Sequence, residues 1–401
     1  MSAALRSEFP LLAAQTGLHY LDSAATAQIH RNALEAVVRH ETTRRANVMR
    51  GTYRLAEAAD GAYEAARVSA ARFLNAASPD EIVFTSGATL ALNLVAHSFG
   101  QALGPGDRVV ASVAEHHSNL LPWQMLGERR GVELVLVPVR TDGRLDLGRL
   151  EALVDSRTRL VALTQCSNVT GAVTDVAAVV AAARRVGARV LLDGAQAVQH
   201  GPQDVQALGA DFYAFSGHKC FGPGGVGVLW ARAELLESMP PFLGGGGMVG
   251  AVTKEGFSSA EPPRRFEAGT PPIAQAVGLA AALEWMCGLD WAAVRAREDV
   301  LCARLLGGLS AVPGLRVIGP TDTADRAPIV SFEIAGLHPH DICQVLDGQG
   351  LALRGGHHCA QPLLAALGAE ACTRASLSLY NDTGDIDALL DGLHHAIRVL
   401  A

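Results

Sequence analysis

The chain has 401 residues, 49% hydrophobic and 18% charged, with a formal net charge of −7. That length and apolar content suit a large packed core in two or three domains and exclude intrinsic disorder. The acidic balance and absence of a long basic run exclude an electrostatic footprint for nucleic acid, and no apolar stretch reaches the roughly 20 residues of a membrane span.

Residues 1–16 read as a short helix and an extended lead-in, with charge where a signal peptide needs its apolar stretch. A short strand follows at 18–22, then helices at 31–46 and 55–75. From there strands (81–85, 107–112, 133–138, 160–164, 189–193, 211–216, 227–231) alternate with helices at 88–99, 119–130 and 176–186. That alternation predicts right-handed βαβ units and a mainly parallel sheet. Residues 240–272, with Gly244–Gly247 and Pro262-Pro263, read as loop-rich. Helices at 273–286 and from Trp291 lead into shorter strands at 315–318, 329–334 and 351–353. The expected organisation is an N-terminal segment (1–16) packing with the small domain, a large domain (17–286) and a smaller α+β domain (287–401).

Two strand ends carry the chemistry. Asp211-Phe-Tyr-Ala-Phe-Ser216-Gly217-His218-Lys219 ends an aromatic strand in small and polar residues around a lysine. Alone, such a lysine is more often a surface residue. Upstream, however, Val190-Leu-Leu-Asp193-Gly-Ala-Gln196 stops an apolar strand on an aspartate. A lysine able to form a Schiff base and an aspartate for a pyridine nitrogen are the marks of pyridoxal phosphate (PLP) chemistry. Thr85-Ser86-Gly87-Ala88-Thr89, between strand and helix, reads equally as an anion site or a simple N-cap. Gly222-Pro-Gly-Gly-Val-Gly227 matches a dinucleotide fingerprint in letters only, because it precedes a strand instead of opening a helix.

His116 and His117 lack other ligands at metal spacing, so no metal site is expected; a histidine stacked on a planar cofactor or acting as acid–base competes with a capped loop residue. Arg354 and Arg374 suit carboxylate recognition or structural ion pairing about equally. The seven cysteines are odd in number and lack CxxC pairs, which fits a reducing, cytoplasmic setting better than a disulfide framework. Six sit in apolar or small-residue contexts as spare thiols. Cys359, in Arg354-Gly-Gly-His-His-Cys359-Ala, does not.

Taken in order, Tyr20-Leu-Asp-Ser-Ala-Ala, Glu115-His-His-Ser-Asn, Pro122-Trp-Gln-Met, Ser167-Asn168-Val-Thr-Gly, Asp193-Gly-Ala-Gln196, Phe215-Ser-Gly-His-Lys219, Phe266-Glu-Ala-Gly-Thr270 and the Cys359 motif resemble class V aminotransferases. Within that group the chain is similar to the SufS/CsdA-type cysteine desulfurases, and the likeness runs nearly end to end. The resemblance implies PLP-dependent transferase fold type I, an α/β fold with a large domain built on a mainly parallel seven-stranded sheet plus a smaller α+β C-terminal domain.

It also implies roles. Lys219 would bind PLP covalently and move the substrate α-proton, Asp193 would hold the ring nitrogen, and Gln196 the phenolic oxygen. His116 would stack on the ring as a catalytic residue, and Asn168 would lie beside cofactor and substrate. Thr89, Ser216 and His218 would hold the phosphate, with Thr270 reaching it from the other subunit of a homodimer. Arg374 would bind the substrate carboxylate and Arg354 would shape the pocket. Cys359 would take sulfur from L-cysteine as a persulfide and pass it to a SufE/CsdE-type acceptor protein, feeding iron–sulfur cluster or thio-cofactor assembly. Selenocysteine or cysteine sulfinate lyase is the alternative activity, and a regulatory PLP-binding subunit a third reading. Met49, Leu90 and Cys220 depart from the group's usual histidine, glutamate and apolar residue.

Overall fold

The computed structural model describes residues 5–400; residues 1–4 of the expected N-terminal segment lie outside the described residues. The strands are β1 (His19–Tyr20), β2 (Ile82–Thr85), β3 (Arg108–Ser112), β4 (Glu133–Val137), β5 (Thr158–Thr164), β6 (Arg189–Asp193), β7 (Phe212–Ser216) and β8 (Gly227–Ala231). They continue as β9 (Val249–Val252), β10 (Phe257–Ser259), β11 (Leu315–Ile318), β12 (Ile329–Ile334), β13 (Leu351–Ala352), β14 (Arg354–Gly356) and β15 (Cys372–Ser376).

The large sheet has seven strands in the order β2-β8-β7-β6-β5-β3-β4. Only β8 runs against its neighbours, β2 and β7. Successive strand residues point to opposite faces, so one strand feeds two cores. Val190 and Leu192 enter the core with the Arg54–Leu74 and Ile273–Cys287 helices, while Leu191 joins the core on the side of the Ala88–Ser98 and Leu121–Arg130 helices. Burial on both faces explains why these strands read as continuous apolar runs.

The smaller sheet has the order β11-β12-β15-β14 and is antiparallel throughout. Its core joins the Trp291–Ser310, Pro339–Asp347 and Thr383–Leu400 helices through Leu305, Phe332, Leu346 and Leu389. The N-terminal segment touches both parts of the chain. Phe9 packs tilted against Phe221 and edge-to-face against Trp285 and Tyr380, while β1 pairs in parallel with β13.

Several elements differ from the sequence expectation. The stretch read as loop-rich contains the β9–β10 hairpin, whose Val252 and Phe257 are exposed. A Leu147–Leu153 helix, capped by Asp146 accepting from the Arg149 N–H, lies where no helix was expected. The helix expected from Asn119 begins at Leu121, with Pro122 in the first turn, where its missing N–H costs nothing. Cys372–Ser376 forms a further strand, with Arg374 at its middle.

Candidate active site

The carboxyl ends of β2, β5, β6 and β7 open onto one side of the large sheet, the usual place for a ligand crevice in an open α/β sheet. A cavity of about 330 Å³ lies there, closed on the far side by residues of the smaller sheet. Lys219, His116, Asp193, Gln196, Asn168, Thr89, Ser216, His218, Arg354, Arg374 and Cys359 all line it. Thr270 does not; it is exposed and outside this chain's cavity lining.

Asp193 ends β6 and is buried; one carboxylate oxygen accepts the Ala195 N–H at 2.9 Å. Burial raises its pKa, a cost that a cation placed against it would remove. Gly194 must be glycine, because a Cβ there would stand 2.0 Å from the Tyr213 ring. Gln196 donates from Nε2 to the Ala24 carbonyl at 2.8 Å, and its buried Oε1 has no partner.

Lys219 follows β7 in a short 3-10 turn, and its exposed surface forms part of the cavity wall. Removal of the amine from bulk water lowers its pKa to about 8; Asp193 opposes the shift and Arg374 adds to it. The Ser216 hydroxyl does not cap its own turn; its Oγ accepts the Ala88 N–H at 2.8 Å, tying β7 to the amino end of the Ala88–Ser98 helix. The approach is tight, since a Cβ on Gly227 would lie 2.5 Å from the Gly87 Cα.

Burial, reinforced by Lys219, lowers the pKa of His116 to about 4, and that of His218 likewise to about 4. His116 Nδ1 accepts the Ser118 N–H at 3.1 Å, which leaves the proton of the neutral ring on Nε2. The Ser118 hydroxyl lies 3.0 Å from His116 Nδ1 and 2.8 Å from the Thr89 hydroxyl. Ser118 thus joins two residues that the sequence singles out separately.

On the opposite wall, Arg354 and Arg374 face each other across β14 and β15. Asp22 accepts from both: from Arg374 at 3.1 Å through Oδ1 and from Arg354 Nε at 3.1 Å through Oδ2. Arg374 also donates to the Asn168 carbonyl at 2.9 Å. Each terminal nitrogen keeps a second N–H, so pairing with Asp22 and binding a carboxylate do not exclude one another. Residue type alone left those two roles in competition.

Cys359 is exposed and lies beyond β14 on a loop in which His358 and Cys359 both adopt positive φ, 51° and 55°. Two non-glycine residues in that region cost roughly 1–2 kcal/mol each. Two bonds hold them there: Asn168 Nδ2 donates to the His358 carbonyl and the His117 N–H to the Cys359 carbonyl, each at 2.8 Å. Asn168, expected beside cofactor and substrate, therefore also anchors the cysteine loop.

Asp22, Ser118 and Cys166 escaped the sequence reading. The first two sit inside motifs quoted for their neighbours; Cys166 passed as a spare thiol, yet it lines the cavity with its thiol pushed up to about 12 by burial. Met49, Leu90 and Cys220 lie outside the cavity lining, Met49 with a positive φ of 81° and its N–H bound to Asp60.

Residues 19–389 match the family described as aminotransferase class-V. A probable cysteine desulfurase of Streptomyces coelicolor is 46% identical over 98% of this chain and 96% of its own. A cysteine desulfurase of Dickeya dadantii is 46% identical, covering 99% and 97%. The crystal structure of the cysteine desulfurase CsdA (S-sulfonic acid) from Escherichia coli superposes with a TM-score of 0.93 at 41% identity, over 100% of this chain and 99% of that one. The apo structure of a cysteine desulfurase from Thermococcus onnurineus gives 0.94 at 36% identity, over 99% and 98%. The chain belongs to the class-V aminotransferase family, and within it to the cysteine desulfurases.

Proposed function

We propose that this chain is a PLP-dependent cysteine desulfurase that releases L-alanine from L-cysteine and keeps the sulfur as a persulfide on Cys359. The observation that carries the reading is an exposed thiol on the wall of the same cavity as Lys219 and Asp193. PLP suits the donor set. Asp193 is a buried carboxylate that a protonated ring nitrogen would stabilise, and Gln196 Oε1 lacks a partner. Lys219 supplies the amine, His116 a neutral ring for stacking, and Thr89, Ser216 and His218 surround a helix amino end fit for phosphate. When bound, PLP would supply the electron sink that carbon–sulfur cleavage requires.

The chain's residues then divide the remaining work. Arg374 orients the substrate carboxylate, held in place by Asp22 and the Asn168 carbonyl. With a pKa near 8, Lys219 Nζ can take up the substrate α-proton and return one near neutral pH. The Cys359 thiolate attacks the substrate sulfur, forming a sulfur–sulfur bond as the carbon–sulfur bond breaks. The electron pair of that bond stays with the carbon, which takes up a proton and departs as L-alanine.

Exposure of Cys359 gives its persulfide to an acceptor protein of SufE/CsdE type or to a reductant, for iron–sulfur cluster or thio-cofactor assembly. A homodimer would bring Thr270 to the phosphate; exposed Leu34 and Val38, one turn apart on the Arg31–Thr43 helix, support such an interface. Free, unpaired cysteines favour the cytoplasm. Among the described residues no single helix is long and apolar enough to cross a membrane.

The test is alanine release from L-cysteine in the presence of a thiol reductant, comparing wild type with Cys359→Ser. Loss of activity with PLP retained supports the persulfide route. Equal activity in both rejects it and moves the assignment to a lyase acting on a substrate with a better leaving group.

A further inference from the structure

Between β3 and the Leu121–Arg130 helix the chain makes one 3-10 turn, His117–Asn119, capped by His116. Three successive residues there reach different parts of the catalytic site. His116 lines the cavity, the His117 N–H donates to the Cys359 carbonyl at 2.8 Å, and the Ser118 hydroxyl lies 2.8 Å from that of Thr89.

Buried side chains fasten this turn. Glu115, with no exposed surface, accepts the Ser112 hydroxyl through Oε1 and Asn119 Nδ2 through Oε2, each at 2.6 Å. Asn119 Oδ1 in turn accepts the Trp123 Nε1–H at 3.2 Å. An indole N–H can only donate, which fixes the orientation of the amide and leaves Nδ2 for the carboxylate. Ser112 ends β3 and Trp123 belongs to the Leu121–Arg130 helix, so this bracket around residues 116–118 is tied to the sheet at one end and to a helix at the other. The His117 bond that it supports is one of the two holding His358 and Cys359 at positive φ.

We propose that Glu115 is a positioning residue for the Cys359 thiol: by joining the residue before His116 to Asn119, it holds the His117 N–H where that group fixes the cysteine loop. The inference rests on the persulfide route given above. One buried carboxylate then supports both the histidine that would stack on the cofactor and the loop that carries the nucleophile.

The readout is the ratio of alanine release from L-cysteine, which needs the thiol, to that from L-selenocysteine, which does not, measured on the PLP-loaded enzyme. Disturbance of His116 slows both substrates alike, so the ratio isolates the Cys359 arm. Glu115→Ala is expected to lower it about tenfold, the order of one lost hydrogen bond, and Glu115→Gln, which keeps an acceptor for Asn119, to restore it. His117→Pro removes the N–H and leaves Glu115 in place; His116, at φ −59° and ψ 147°, already has the backbone of a residue before proline. Relative to His117→Ala, which keeps the N–H, it should lower the ratio to the same extent. Should Glu115→Ala not fold, Asn119→Ala opens the bracket from its other end with the same expectation. A ratio unchanged on opening the bracket or in His117→Pro overturns the proposal, as does an equal fall for both substrates. Cys359→Ser separates the two levels of the argument. A ratio that survives it overturns the persulfide route and this inference with it, whereas a ratio lost there but kept in the other variants overturns the positioning role alone.

Discussion

The floor of the catalytic cavity and its outer wall are built on opposite principles. Asp193 and Ser216 end central strands and Lys219 follows β7, with packed cores on both faces of the sheet, and burial shifts the pKa values of Asp193 and Lys219. Cys359 is exposed, on a loop at unfavourable backbone angles held by two bonds from the large-sheet side. In the proposed reaction, a floor that would hold a charged cofactor gains from rigidity and low dielectric, and a thiol that would meet a buried substrate and then an outside acceptor gains from standing at the edge.

The comparison can be broken most sharply at the floor. Lys219→Ala should lower turnover by at least the roughly 10²–10⁴-fold of a lost proton-transfer group, and should abolish the visible absorption of lysine-bound PLP. An unchanged spectrum would mean that another amine holds the cofactor. At the wall, Cys359→Ser should stop alanine release from L-cysteine yet spare turnover of L-selenocysteine, whose better leaving group needs no attacking thiol. Parallel loss of both would place Cys359 among the structural groups.

Arg374→Ala should reduce kcat/KM for L-cysteine by roughly 10²-fold or more, because it also leaves buried Asp22 without one of its partners. PLP affinity should change far less; an equal loss of both would identify a purely structural arginine. Arg354→Ala, removing a half-exposed arm of the same Asp22 pair, should cost less than about tenfold.

The wall also has a pH signature. Burial lowers the pKa of His358 to about 3, while its Nε2 lies 3.1 Å from the Cys372 carbonyl. Unfolded, a histidine titrates near 6.5, so the unfolded chain binds the extra proton first as pH falls. The neutral-His358 contribution is therefore full above pH 6.5 and declines towards pH 3. The stability gap between wild type and His358→Asn should narrow by on the order of 2 kcal/mol between pH 7 and 4.5, read by chemical denaturation. A gap independent of pH would show that His358 is not held neutral.

Most of the floor was legible because each of its residues is local to a pattern. Asp193 and Lys219 each follow an apolar strand run by position alone, and Thr85–Thr89 join a strand to a helix. The β9–β10 hairpin was not legible: its strands are short and exposed, so no buried face imposes an alternation on them. Nor was the left-handed pair at His358 and Cys359, since neither residue is the glycine or asparagine that announces such a turn.

By itself the sequence determined the strand–helix alternation, the family and the candidate reactive groups, because these rest on residue type and short-range order. Tertiary structure decided which groups meet. The register of β14 against β15 sets Arg354 opposite Arg374, and the bridge from Asp22 to Ser376 of β15 brings Asp22 between them. Packing of the smaller sheet over the strand ends puts Cys359 on the cavity that holds Lys219. Such contacts join residues far apart in the chain and depend on sheet register and domain packing, which no local periodicity encodes.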